Sequence, residues 1–445
     1  MKQDITSGTV WKQILLFFFP ILFGTFFQQL YNTVDAALVG QFVGKEALSA
    51  VGGAPAIIIT LIIGLFTGIS SGATVSIAQF FGAKAHKSVS DATHTAIAIS
   101  LIGAVILTVI GYFSASYVLE LCRTPDDVFE ESLIYIEIYY LGLIWTFLYN
   151  MGSSILRAIG DSKRPFYFLI IGCVLNIVLD IIFLLPLRMG VAGAAIATLI
   201  SQAVSAVLTL ACLVRTNESC KLYLKKITIK KEHFLRIMKI GIPIGIQSAT
   251  YNLANLLIQS SINDFGTDTI AAWGAYWKMD VFWMVMSAFS ISLTTFVGQN
   301  YGAGLYDRIR TGVRSTLWMA HLTCVVICGA YILFAEFLFS LFSNDPAVID
   351  TGVRMLYFLM PTYISYVCTE VLSGALRAMG DTFMPMILSC GGVCAIRVIW
   401  TGFIYPMNPT LEMLELNYPV SWIITSVLFV IYYFWKRKKI MPDLA

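Results

Sequence analysis

Arg157-Ala-Ile-Gly-Asp161 recurs as Arg377-Ala-Met-Gly-Asp381, and each copy is followed by a proline four residues past its aspartate, Pro165 and Pro385. Outward from that pair, Gln79-Phe-Phe-Gly82-Ala83 returns as Gln299-Asn-Tyr-Gly302-Ala303 at the same spacing of about 220 residues. Pro20 and Pro243 stand at nearly that spacing inside two apolar runs. One unit is used twice. In a membrane chain, duplication of this kind belongs most often to transporters, which hold their site between two pseudo-symmetric bundles and rock them for alternating access.

Composition fixes the solvent. The chain is 58% hydrophobic and only 12% charged, with mean hydropathy +0.79, far from the roughly one quarter charged of soluble domains. Its apolar stretches each reach the roughly 20 residues that an α-helix needs to cross the hydrocarbon core. We place spans near 12–38, 50–79, 92–119, 131–156, 165–187, 190–214, 234–262, 270–298, 311–342, 351–376, 384–405 and 417–435. The fold class expected is therefore all-α and integral to the membrane, with twelve transmembrane helices in two pseudo-symmetric six-helix bundles. Residues 1–215 form an N-terminal lobe, 216–233 a solvated cytoplasmic linker and 234–445 a C-terminal lobe. The first run is too long for a cleaved signal and is expected to stay as a helix.

Lys and Arg in short loops set orientation. Lys84, Lys87, Lys163, Arg164, Lys225, Lys226, Arg308 and Arg310 fall in alternate connections, and the tail carries Lys436-Arg437-Lys438-Lys439. The opposite connections hold Asp126, Asp127, Glu130, Asp264, Asp268 and Asp345. Both termini are thus expected in the cytoplasm of a multi-pass protein of the cell's inner membrane. The basic loops meet anionic membrane lipids and call for no nucleic acid. Cys324 with Cys328 and Cys390 with Cys394 stand one helical turn apart, but no histidine neighbours them in sequence, so no metal site is expected. No Walker motif, nucleophile arrangement or cofactor motif is present, which argues against an enzyme or a direct ATP pump.

Chemistry is expected where lipid should forbid charge. A carboxylate at the centre of a spanning helix costs about 2.5–3.5 kcal/mol on insertion scales, so it must face a cavity or a partner. Asp35 lies in the first helix and Asp180 in the fifth, with Asn176 one turn before Asp180 on the same face. Thr198, in the sixth helix, adds a fourth oxygen. Two carboxyls in a partly dry pocket cannot both stay ionised cheaply, so the set can take up a proton. The same oxygens suit Na⁺, a hard cation. The alternative is a hydrogen-bond network that only ties helices together. At the matching positions the second half has Ile258, Ile396 and Trp400, so the acids belong to one lobe, which favours a specialised ion site. Pro20 removes a hydrogen bond inside the first helix and marks a conformational hinge or a static kink.

Glu370 and Arg397 are the intramembrane charges of the second half, and they form either an ion pair or separate contacts to a substrate. The stretch holding Met279, Trp283 and Met286 offers an adaptable aromatic and thioether surface for planar cations, or an interfacial anchor. Gln28, Tyr31, Asn32 and Tyr251 complete the candidate substrate contacts.

Tyr31-Asn-Thr-Val-Asp35, Gly44-Lys-Glu-Ala-Leu-Ser-Ala-Val-Gly52, the paired Arg-Ala-x-Gly-Asp motifs and Gly298-Gln-Asn-Tyr-Gly-Ala303 together resemble the multidrug and toxic compound extrusion (MATE) transporters over almost the whole chain. The set Asp35, Asn176, Asp180 and Thr198 resembles the N-lobe cation site of the DinF-like prokaryotic branch, and Pro20 matches its helix 1 proline. The resemblance implies antiport of amphipathic, mostly cationic drugs against H⁺ or Na⁺, without a cofactor, by a monomer. The NorM-type acids of helices 7 and 10 are absent, and Glu370 lies at a different offset. A flippase for a lipid-linked oligosaccharide is the alternative.

Overall fold

The computed structural model describes residues 5–440, and every regular element among them is helical. In the first half these are α1 (Val10–Phe42), α2 (Lys45–Gly52), α3 (Ala54–Gly82), α4 (His86–Leu121), α5 (Asp126–Ala158), α6 (Lys163–Leu184) and α7 (Gly190–Arg215). The second half runs through α8 (Lys231–Ile262), α9 (Thr267–Met279), α10 (Phe282–Gly302), α11 (Tyr306–Leu333), α12 (Ala335–Ser340), α13 (Pro346–Leu359), α14 (Tyr366–Ala378), α15 (Phe383–Ser389), α16 (Ile396–Ile399), α17 (Leu411–Glu415) and α18 (Asn417–Ile440). Eleven stretches are long and apolar enough to cross a membrane. The twelfth expected span is α8, which has the length, 32 residues, but carries Gln247, Thr250, Asn252, Asn255 and Gln259 along its interior.

The duplicated motifs are the same turn made twice. Gly160 and Gly380 both have positive φ, 92° and 88°, a conformation that costs glycine least. In both copies the chain then closes the helix end with paired bonds, Gly160 N–H to Arg157 and Asp161 N–H to Leu156, and Gly380 N–H to Arg377 and Asp381 N–H to Leu376. The other motif behaves alike: Lys84 (φ 56°) and Gly304 (φ 70°) occupy the left-handed position after α3 and α10.

The chain packs into two compact units, one containing Phe19–Gly245 and the other Ser7–Phe18 with the chain from Ile246 on. Their boundaries fall within α1 and α8, each a few residues from that helix's interior proline, Pro20 and Pro243. In the first unit α5 packs on α3, α4 and α7, and α6 on α7. Its centre includes Phe66 stacked on Phe147 at 3.6 Å between ring centroids. The first half of α8 lies against α3 through glycines: a β-carbon on Gly72 would come within 2.4 Å of the Ile237 carbonyl oxygen. Such backbone approach is how small residues bring membrane helices together. In the second unit α14 packs on α10, α11 and α18, and Phe18 of α1 stacks on Phe289 at 4.1 Å.

The segment after α7 is largely exposed, as a solvated connector would be, yet it is anchored to the first unit. Cys220 and Leu222 are buried in the core of the first unit. Tyr223 donates its N–H to His94 Nε2 at 3.0 Å, while His94 Nδ1 donates to the Ser90 carbonyl at 2.7 Å. Lys230 donates its N–H to Thr95 and pairs with Asp91 at 2.6 Å. A polar composition conceals two apolar anchors, and side chains of α4 partner the backbone groups that a free loop would leave to water.

One further irregularity concerns the eleventh span. Between α15 and α16 the chain makes a π-helical turn, Cys390–Ala395, and a second one follows at Trp400–Ile404. Its counterpart α6 is regular α-helix throughout.

Candidate functional site

Asp35 comes from the second half of α1, Asn176 and Asp180 from one face of α6, and Thr198 from α7. All four belong to the first unit and all four are buried, Asp180 fully. The structure brings them together: the carboxyls of Asp35 and Asp180 meet side chain to side chain, and Asn176 Nδ2 donates to Thr198 Oγ1 at 3.4 Å. Ionised carboxylates only accept. Accordingly Asp35 Oδ1, both Asp180 oxygens and Asn176 Oδ1 have no donor among the described residues. Buried acceptors in that state are costly, and a proton between the acids or a small cation among these oxygens would satisfy them.

Sequence reasoning named Tyr31 as a substrate contact but missed the rest of the wall around this cluster. Tyr31, Tyr135 and Tyr139 lie within electrostatic range of one another, and Tyr31 and Tyr135 within range of Asp35. Tyr31 also contacts the Gln202 side chain. A cavity of about 10 Å³ opens beside Asn176, lined in addition by Tyr31, Cys173, Ser201, Gln202 and Ser205. That is room for about one water-sized particle. The tyrosines of α5 were discoverable, since Tyr135 and Tyr139 recur at one-turn spacing, the interval that puts two side chains on one helix face.

The remaining candidates are dispersed. Gln28 and Asn32 are exposed on α1. In the second unit Tyr251, Met279 and Trp283 are partly buried, whereas Met286 has no exposed surface and belongs to the core. Glu370 and Arg397 do not form an ion pair. Glu370 instead accepts from Tyr366 Oη at 3.3 Å and stands 3.8 Å from Arg377. Arg397 donates to Asn255 at 2.8 Å and lies over the Tyr418 ring at 4.5 Å. The amide and the aromatic face hold the guanidinium without a carboxylate, although its buried Nε has no hydrogen-bond partner among the described residues.

Asp280 is the acid that sequence reasoning passed over. It sits in the break between α9 and α10, buried, and accepts from the Phe282 N–H at 3.0 Å and from Tyr363 Oη at 2.5 Å. Tyr363 in turn accepts from Tyr276 at 2.6 Å. Here the carboxylate replaces backbone bonds that the break removes. Among the described residues no group of three or more His, Cys, Asp or Glu side chains could hold a metal ion.

A duplicated set of membrane-length helices is the architecture of a transporter. The MatE family model matches residues 20–182 and 243–401, and the chain belongs to that family. It is 27% identical over 99% of its length, and 97% of the relative's, to "Probable multidrug resistance protein YoeA" of Bacillus subtilis. It is 24% identical, over 96% of this chain and 91% of the other, to "Probable multidrug resistance protein NorM" of Thermotoga maritima. Among solved structures it resembles "Outward-facing conformation of a multidrug resistance MATE family transporter of the MOP superfamily", with a TM-score of 0.92, 21% identity, and 99% of this chain and 100% of the other covered.

Proposed function

We propose that this protein exports amphipathic, mostly cationic small molecules from the cytoplasm in exchange for H⁺ or Na⁺, with Asp35, Asn176, Asp180 and Thr198 as the cation site. The observation that carries this is the buried contact between Asp35 and Asp180, two acids left without a hydrogen-bond donor among the described residues. Multidrug resistance proteins among its relatives support the substrate class. The halves, residues 1–215 and 234–445, act as the two lobes, and Pro20 is the hinge of α1. Gln28, Tyr31, Asn32, Tyr251, Met279, Trp283, Glu370 and Arg397 contact the exported compound at stages of the cycle. The protein works as a monomer in the inner membrane with both termini cytoplasmic, the orientation that its basic loops favour.

Exchange of a monovalent cationic drug for one proton moves no net charge, so the concentration gradient alone drives it; a further proton would add roughly 2.3 kcal/mol per 100 mV. The test is efflux of a fluorescent cationic dye from liposomes holding wild type, Asp35→Asn or Asp180→Asn, under separate pH and Na⁺ gradients. Dye movement driven by one gradient and abolished in both variants is expected. Transport indifferent to both gradients would refute antiport and favour a flippase.

A further inference from the structure

We propose that the groove between α11 and α18 of the second unit binds one anionic phospholipid, with its phosphate at Arg310, Arg314 and Arg437 and its acyl chains along Trp318, Leu322 and Val325. The groove encloses about 890 Å³ and is lined by these residues together with Phe434 and Ile364.

Helix geometry orders the wall. On α11, positions 310, 314, 318, 322 and 325 recur every three or four residues, so they form one stripe. Along it the side chains change from two arginines to tryptophan and then to leucine and valine, the order of polarity met along a phospholipid from headgroup to tail. Trp318 is 70% exposed and Leu322 68%, as expected where the neighbour is hydrocarbon and not protein. α18 brings Arg437 to the basic end: Tyr433 lies within electrostatic range of both Arg310 and Arg437. The Arg437 guanidinium lies over the Phe434 ring at 5.4 Å, and its Nε is shielded from solvent without an acceptor among the described residues.

Charge complementarity selects the occupant. Asp381, an acid in the turn after α14, is held by Lys436 at 2.7 Å and by Tyr432 at 2.5 Å. Asp307 is exposed one turn before Arg310. None of the three arginines has an ion pair among the described residues. Three guanidinium groups at the polar end of an apolar groove match a phosphodiester with two acyl chains, the pattern by which basic pockets between membrane helices bind anionic headgroups. Arg310 and Arg437 also belong to the basic connections that set orientation, but the duplicated architecture does not require arginines here. The positions about 220 residues earlier hold Ser90 and His94, and there His94 is covered by the docked linker at Tyr223.

The test is native mass spectrometry of the full-length protein released from phosphatidylcholine vesicles containing phosphatidylglycerol. Wild type is expected to retain one phosphatidylglycerol per chain. The Arg310→Gln, Arg314→Gln, Arg437→Gln triple variant should lose about tenfold in retention, the loss of several charge-assisted contacts, whereas Lys225→Gln with Lys226→Gln, on the linker, should retain it. Equal loss in the linker variant would reduce the site to diffuse surface attraction and overturn the proposal. So would unaltered retention in the triple variant, or a dimer of the chain seated on this face. Should the triple variant fail to fold, brominated phosphatidylglycerol decides: it should quench wild type more than Trp318→Phe, and equal quenching overturns the assignment. None of these readouts involves transport, so the lipid site and the antiport mechanism stand or fall separately.

Discussion

Gly68 of α3 and Gly245 of α8 approach so closely that a β-carbon on Gly68 would lie 2.3 Å from the Gly245 amide nitrogen. The same substitution would meet the Gly241 carbonyl oxygen at 2.7 Å. Backbone cannot swing aside as a side chain can. Gly68→Ala is therefore expected to destabilise the protein by about 1–3 kcal/mol, the usual cost of overpacking, while Gly103→Ala, with nothing within 4 Å of its β-carbon, should be neutral. Thermal denaturation of both variants in detergent is the measurement.

Thr198 separates the two coupling ions. Thr198→Val keeps the shape but removes the hydroxyl that accepts from Asn176. If Na⁺ is bound there, the half-saturating Na⁺ concentration should rise about three- to tenfold, since one such interaction is worth roughly 0.5–1.5 kcal/mol. Under a proton gradient the same variant should transport almost normally, and Thr198→Ser should restore Na⁺ dependence. Dye efflux titrated with Na⁺ at fixed pH distinguishes these cases.

Asp280 is expected to act structurally, as the acceptor that closes the break between α9 and α10. Asp280→Asn or Tyr363→Phe should lower stability by about 1.5–3 kcal/mol, the range for hydrogen bonds to a charged group, and leave ion preference unaltered. A changed ion preference in liposomes, with melting unaffected, would instead make Asp280 part of a second ion site.

The docked linker gives a prediction about local opening. Leu222 is 1% exposed, and Leu222→Ala should cost about 2–5 kcal/mol of local packing. Hydrogen exchange at residues 217–229 should accelerate, whereas Leu224→Ala, on an exposed side chain, should change little.

The acid pair is legible in the sequence because lipid penalises a carboxylate so heavily that Asp35 and Asp180 need a purpose. Asp280 sends the same signal, but beside Lys278 and between tryptophans it passes for a membrane boundary. The duplication is equally plain in Arg157 and Arg377, where the repeated glycine marks a repeated left-handed turn. Less can be seen of Glu370 and Arg397. Whether two charges on separate helices meet depends on the rotation of each helix about its axis, and the π turns flanking Arg397 change that rotation. The linker hides for another reason, since average polarity says nothing about where two buried residues, Cys220 and Leu222, anchor it.

A π turn, bonded i→i+5, takes one more residue than an α-helical turn over the same path. Counting from Pro165 and Pro385, the copies run in step until Cys390; beyond that insertion the correspondence shifts by one. Arg397, not Ile396, then corresponds to the position that holds Asn176. One position of the repeat thus holds an amide beside two acids in the first copy and a cation among aromatics in the second. Divergence after duplication came through a change in chain length as well as through substitution, and constant-offset comparison of the two halves misaligns the eleventh span.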